Sequence, residues 1–203
     1  MNDDEAKETT DGVVAASADA ASADAASADA ASADAASADA ADDGAVAAAK
    51  AWVAAVMDDR DLEAAWPLTE PSYRKVLAQH WIISKPADVV GPAEQWEPIA
   101  DGLAACPSTH RLWTQFASER LSRWREYWAG FSAVTWGVRT RTDPRPDVAV
   151  VTFVEPRGKL MSLRPGPPLE FRHIAVRRTP GGWLVAGADG NHLFRPGWPP
   201  GPG

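Results

Sequence analysis

The chain has 203 residues, a formal net charge of −8 and one cysteine, which excludes an intrachain disulfide and leaves the fold to a hydrophobic core. Charge is uneven: residues 1–43 hold twelve Asp/Glu against one lysine, a net of −11, whereas the remainder carries +3. No apolar run approaches the roughly 18 residues that span a bilayer, and the acidic start, with Val13-Val14 as its longest bulky apolar run, lacks the core of a secretory signal, so a cytoplasmic protein without a membrane partner is expected.

Residues 16–40 are tandem copies of Ala-Ala-Ser-Ala-Asp, with aspartates at 19, 24, 29, 34 and 39. Alanine favours helix, but a five-residue repeat advances about 140° per copy and spreads Asp and Ser over every face, so no apolar stripe can form. A disordered acidic tail over 1–43 and a folded domain over 44–203 are expected.

The domain opens with Asp42 or Asp43 as a helix cap and Val46, Trp52, Val53, Val56 and Met57 on one side, ending at the charged run 58–61. A short turn of helix through Leu62 and Trp66 closes at Pro67. Thr69 and Pro71 then start a helix carrying Tyr73, Val76, Leu77, His80 and Trp81 at i, i+3, i+4, i+7 and i+8, which is one buried face. Pro86 ends it, and Trp96, Ile99 and Leu103 supply a shorter helix around Pro98. The clearest helix runs from a cap near Ser108 through Leu112, Trp113, Phe116, Leu121, Trp124, Trp128 and Phe131, with Gly130 as its C-terminal cap.

Beyond Phe131 the apolar period changes from 3.6 to 2, with Val134, Trp136 and Val138 alternating against polar neighbours. Strands follow: Val148–Val154 after a turn at Asp143-Pro144, a short strand at Leu160–Leu163, and a long one over Leu169–Arg178. In that last strand Leu169 and Phe171 are out of phase with Ile174 and Val176, and a β-bulge at Arg172-His173 would put both pairs inside. Thr179-Pro180-Gly181-Gly182 predicts a type II turn with Gly181 at positive φ, and Trp183–Gly187 is the return strand.

Helices followed by antiparallel strands read as α+β, N-terminal helices packed on a curved sheet. The element order over about residues 44–190, with the Gly-Gly-Trp-Leu-Val hairpin at Gly181–Val185, resembles the nuclear transport factor 2-like superfamily and its SnoaL-like polyketide-cyclase relatives. The resemblance implies a cone-shaped cavity between helices and sheet, used by some members for isomerase, dehydratase or cyclase chemistry and by others for binding. It also implies an exposed sheet face through which a homodimer can form.

Chemistry is sparser. There is no Gly-x-Ser-x-Gly, no P-loop, no Gly-x-Gly-x-x-Gly and no Cys-x-x-Cys, so no cofactor is expected. Cys106 and His110 have an i, i+4 spacing, but Pro107 and Ser108 break the helix that would align them, and no metal is expected. Arginines alternate with aromatics over 120–128, yet Trp124 and Trp128 fall on the buried stripe and Glu119 and Glu126 interrupt the positive surface, so nucleic acid is not an expected partner. Glu155, Glu170 and Asp189 form no buried carboxylate pair. The candidate pocket residues are Trp66, Tyr73, Trp81 and Trp136 as an aromatic wall for a small hydrophobic ligand. His80 or His173 as base with Tyr73 as hydroxyl donor would serve a cofactor-independent lyase, isomerase or cyclase instead. A homodimeric interaction module is the third reading.

Overall fold

The computed structural model describes residues 43–105, 107–131, 137–142, 145–154, 171–188 and 193–202. All belong to the compact unit Asp42–Gly203. The repeat tail, Cys106, Trp136, the expected strand at Leu160–Leu163 and the acids Glu155, Glu170 and Asp189 lie outside the described residues.

The fold class is α+β. Helix α1 (residues 43–54) runs into a π-helical turn, Ala55–Asp59, which ends at Arg60 in the left-handed region with φ 58°. Asp61 caps the short α2 (Leu62–Ala65) by accepting from the backbone N–H groups of Glu63 and Ala64. Helix α3 (Pro71–Ile83) has proline in its first turn, as the sequence predicts, but its cap is Glu70 and not Thr69, the Glu70 carboxylate accepting from Tyr73 N. Thr69 instead bridges Val185 in parallel, with Val185 N donating to Leu68 O and Glu70 N to Val185 O. That strand-like step ties the start of α3 to the sheet.

After Pro86 come α4 (Ala87–Val90) and α5 (Trp96–Ala105), the latter accepting Pro98 within its first turn, where a missing N–H costs nothing. Helix α6 spans Trp113–Tyr127, starting later than expected because residues 107–109 form a 3-10 turn and His110 Nδ1 receives Leu112 N–H. Gly130 follows with φ 84°, the left-handed exit that its position predicts.

The sheet is antiparallel and curved, with strands β1 (Gly137–Thr142), β2 (Val148–Val154), β3 (Phe171–Thr179) and β4 (Gly182–Gly187) in sequential order. A small hairpin of β5 (Phe194–Arg195) and β6 (Gly201–Pro202) ends the fold. Two expectations are corrected here. The β2–β3 ladder keeps register from Val154↔Phe171 to Val148↔Arg177, so no bulge occurs at Arg172-His173; the irregularity is opposite Ala175 and Val176, where Ala186 is the extra residue of β4. In the β3–β4 turn the positive φ, 117°, belongs to Gly182 and not Gly181.

Without a bulge, strict alternation decides the faces. Ala149, Val151, Phe153, Ile174, Val176 and Val185 join the helical core, and Arg172 takes the inner position that Phe171 was expected to hold. Its guanidinium covers the rings of Phe131 and Tyr127 at 4.7 and 5.0 Å, and its Nε donates to Tyr127 O, so the charged group is accommodated by aromatic faces and a carbonyl. Phe171 is left 47% exposed on the outer face.

The core holds two aromatic groups. Trp52 meets Trp124 and Trp128 edge to face, with centroids 4.6 and 6.5 Å apart, and Trp128 continues to Phe131 and Phe153. Trp66, Trp81 and Trp113 surround Phe116 at 5.5 to 5.6 Å. Edge-to-face pairs add roughly 0.5–1.5 kcal/mol each to the burial of the rings. Among the described residues no helix is long and apolar enough to cross a membrane.

Candidate functional site

Tyr73, Val76, Leu77 and His80 occupy successive turns of α3, and Arg120 and Arg123 lie one turn apart on α6. With Phe194 of β5 they line one cleft of about 160 Å³. Its walls are of two kinds: Tyr73, Val76, Leu77 and Phe194 are apolar, while His80, Arg120 and Arg123 supply cationic and imidazole groups.

Each wall is held in place by the fold. Tyr73 is 2% exposed and its hydroxyl oxygen accepts Ala188 N–H at 3.1 Å, fixing α3 to the end of β4. Phe194 meets the His80 ring edge to face at 5.9 Å. The hairpin carrying Phe194 is fastened by Gly197 N to Gln79 Oε1 and by Trp198 Nε1 to a carboxylate oxygen of Glu97. Hydrogen bonds from Lys75 and Trp198 hold the Glu97 carboxyl below its ordinary range. Arg120 is 5% exposed; its Nη2 donates to Leu77 O at 3.2 Å and its guanidinium stands 5.9 Å from the Trp124 ring.

A second, smaller cleft of about 70 Å³ shares both arginines and adds Trp81, Ser84 and Glu119. Glu119 receives Trp81 Nε1 at 3.1 Å, Gln115 Nε2 at 3.1 Å and the Lys85 ammonium. Burial pushes the Glu119 carboxyl up, but the bonds from Lys85, Gln115 and Trp81 together outweigh it, so the group titrates below its ordinary value.

The structure brings Tyr73 and His80 together in the cleft of α3, α6 and β5 and places Trp66, Trp81 and His173 apart from them. His80 is exposed, at the cleft's rim, although its spacing places it on a buried face. Trp66 is 1% exposed, its Nε1 donating to Leu103 O, and its ring packs on Trp113 and Phe116. Trp81 also packs on Phe116, and its indole N–H points to Glu119. His173, without the expected bulge to re-aim it, faces away from the helices, its Nδ1 3.0 Å from Thr152 Oγ1 on the neighbouring strand. Trp136 lies outside the described residues.

Arg120 and Arg123 read from the sequence as solvated surface, and the structure places both in the cleft. A signal existed: Phe116, Arg120 and Trp124 follow one another at four-residue steps, so Arg120 sits within the apolar stripe of α6. Among the described residues no group of three or more His, Cys, Asp or Glu could hold a metal ion. Comparison of the chain with protein-family models, curated proteins and solved structures finds no match.

Proposed function

We propose that the domain binds a small organic molecule in the cleft formed by α3, α6 and β5, and that binding is its principal activity. The observation that carries this reading is the cleft itself, lined by Tyr73, Val76, Leu77 and Phe194 together with His80, Arg120 and Arg123, polar groups that can orient a ligand. Its volume of about 160 Å³ is close to the roughly 150 Å³ of an apolar cavity known to take up benzene, which suits a ligand of about one ring. The order of helices and antiparallel strands is also that of the nuclear transport factor 2-like resemblance, whose members enclose ligands between these layers.

A cofactor-independent lyase or isomerase is the second reading, because Tyr73 and His80 share the cleft as hydroxyl donor and base. Binding is placed first because four of the seven residues lining the cleft, Tyr73, Val76, Leu77 and Phe194, have apolar bodies, as ligand sites commonly do. Ligand-observed NMR with single-ring compounds tests the proposal: saturable binding is expected, and Phe194→Ala, which removes one wall from a half-buried position, should weaken it. Absence of binding by every compound, or indifference to Phe194→Ala, rejects the cleft. Turnover that disappears in His80→Ala with folding intact selects the enzyme instead.

A further inference from the structure

We propose that the β5–β6 hairpin is a movable strap on the cleft of α3, α6 and β5, latched at its tip by the Glu97 carboxylate. The strap carries Phe194, which lines the cleft, so the inference rests on that cleft being a binding site and specifies how it opens. The hairpin pairs Phe194 with Pro202 and Arg195 with Gly201, in a sheet separate from the four-stranded one. A two-stranded hairpin is marginally stable at best on its own, so its position is set by what fastens it.

The two ends of the strap are fastened differently. At the near end Leu193 is buried with Val148, Ala175 and Ala186, an apolar contact that serves as the hinge. At the tip Arg195, Pro196, Trp198 and Pro199 are exposed, and polar side chains of α3 and α5 hold it. Glu97 is the centre of that hold. Its Oε2 accepts Trp198 Nε1 at 2.6 Å and Gln79 Nε2 at 3.4 Å, and Gln79 Oε1 in turn accepts Gly197 N–H at 3.1 Å. Gln79 is buried, so Glu97 orients an interior amide as well as receiving the indole directly. The Glu97 side chain is itself half exposed, where water competes for its oxygens, so the latch yields before the apolar hinge does. Lys75 pairs with both Glu97 and Asp101, but it is Glu97 that receives the strap's donor. Lifting the tip draws Phe194 away from the His80 ring, 5.9 Å from it, and removes it from the cleft lining.

Amide hydrogen exchange of the full chain, followed by NMR, tests the latch. Glu97→Ala should speed exchange at Gly197, whose N–H Gln79 accepts, about three- to tenfold, as the loss of a charge-assisted hydrogen bond near the surface predicts, and should leave the amides of β2 and β3 unchanged. Trp198→Phe, which keeps a ring against Trp96 and removes the donor, should act in the same direction, whereas Asp101→Ala, which removes the other partner of Lys75, should not. Unchanged exchange at Gly197 in Glu97→Ala, an equal response to Asp101→Ala, or a rise spread over β2 and β3 overturns the strap. Benzene, as a single-ring probe, separates strap from cleft: it should slow exchange at Phe194 in the native chain, and it should enter and leave faster in Glu97→Ala. A latch effect without protection by benzene rejects the cleft as a binding site and, with it, the strap's role there, while the latch itself stands. Protection by benzene with the same entry and exit rates in both proteins keeps the cleft and overturns the strap as its gate.

Discussion

The helical interior and the α3–α6 cleft use the same kinds of residue for opposite ends. In the interior, Trp52, Trp66, Trp113, Trp124 and Trp128 are each at most 8% exposed and lie edge to face against one another or against phenylalanines, so their rings are partners of the core. Among the described residues that line the cleft Tyr73 and Phe194 are the phenyl-bearing ones, and two arginines of α6 line it with them. An abundance of tryptophan thus indicates how the core is filled, while a charged residue placed within an apolar stripe indicates where the interior opens. The two regions meet at Arg120, which stacks on a core tryptophan and lines the cleft.

The sharpest way to break this contrast is to remove a core ring. Trp66→Ala should cost about 3–5 kcal/mol of stability, the range for deleting a large buried aromatic whose neighbours relax only in part. It would also strand Leu103 O, the acceptor of the Trp66 N–H. Urea unfolding measures the loss, which is a large share of the roughly 5–15 kcal/mol that holds a domain together. A loss below about 1 kcal/mol combined with failure to bind ligand would move Trp66 from the core to the pocket wall.

A smaller effect is expected at the end of α6, which carries both arginines. Gly130 has φ 84°, and a Cβ there would meet nothing within 4 Å, so any cost of Gly130→Ala is backbone strain alone. About 1 kcal/mol is expected. An unchanged melting temperature would mean that the helix exit tolerates another path and that α6 is less firmly stopped than the interior implies.

How far the sequence alone carries depends on whether a residue's role is set by its neighbours in the chain. Pro71 and the i, i+3, i+4 series from Tyr73 to Trp81 mark α3 because capping and periodicity are local, and Gly130 marks a helix exit for the same reason. The faces of β3 are legible by parity, which puts Arg172 with Ile174 and Val176; only the wish to keep Phe171 inside requires a bulge. What parity cannot show is that Tyr127 and Phe131, at the end of α6 and just beyond it, make an inner position suitable for a guanidinium. The cleft is only half legible, since Tyr73 and His80 come from one helix but their opposite wall depends on how α6 and β5 approach it. The hairpin of β5 and β6 has no local signal, as it is held by Gln79 and Glu97 from distant helices.

The smallest effect separates the two clefts by acid. Glu119 is held below its ordinary carboxylate value despite burial, by bonds from Lys85, Gln115 and Trp81. A carboxyl whose folded value is depressed contributes stability that is fully present above the unfolded value of 4.5 and is lost as pH falls through the folded one. Its side chain is 40% exposed, so solvent screens the interaction and the effect on melting temperature should be slight. Thermal melts of the native chain and of Glu119→Gln should therefore differ most above pH 4.5 and converge below it, as the native carboxyl takes up the proton that the amide never had. Melting curves of the two proteins that run parallel through pH 4.5 would show that the contact of Glu119 with Lys85 contributes nothing to the fold.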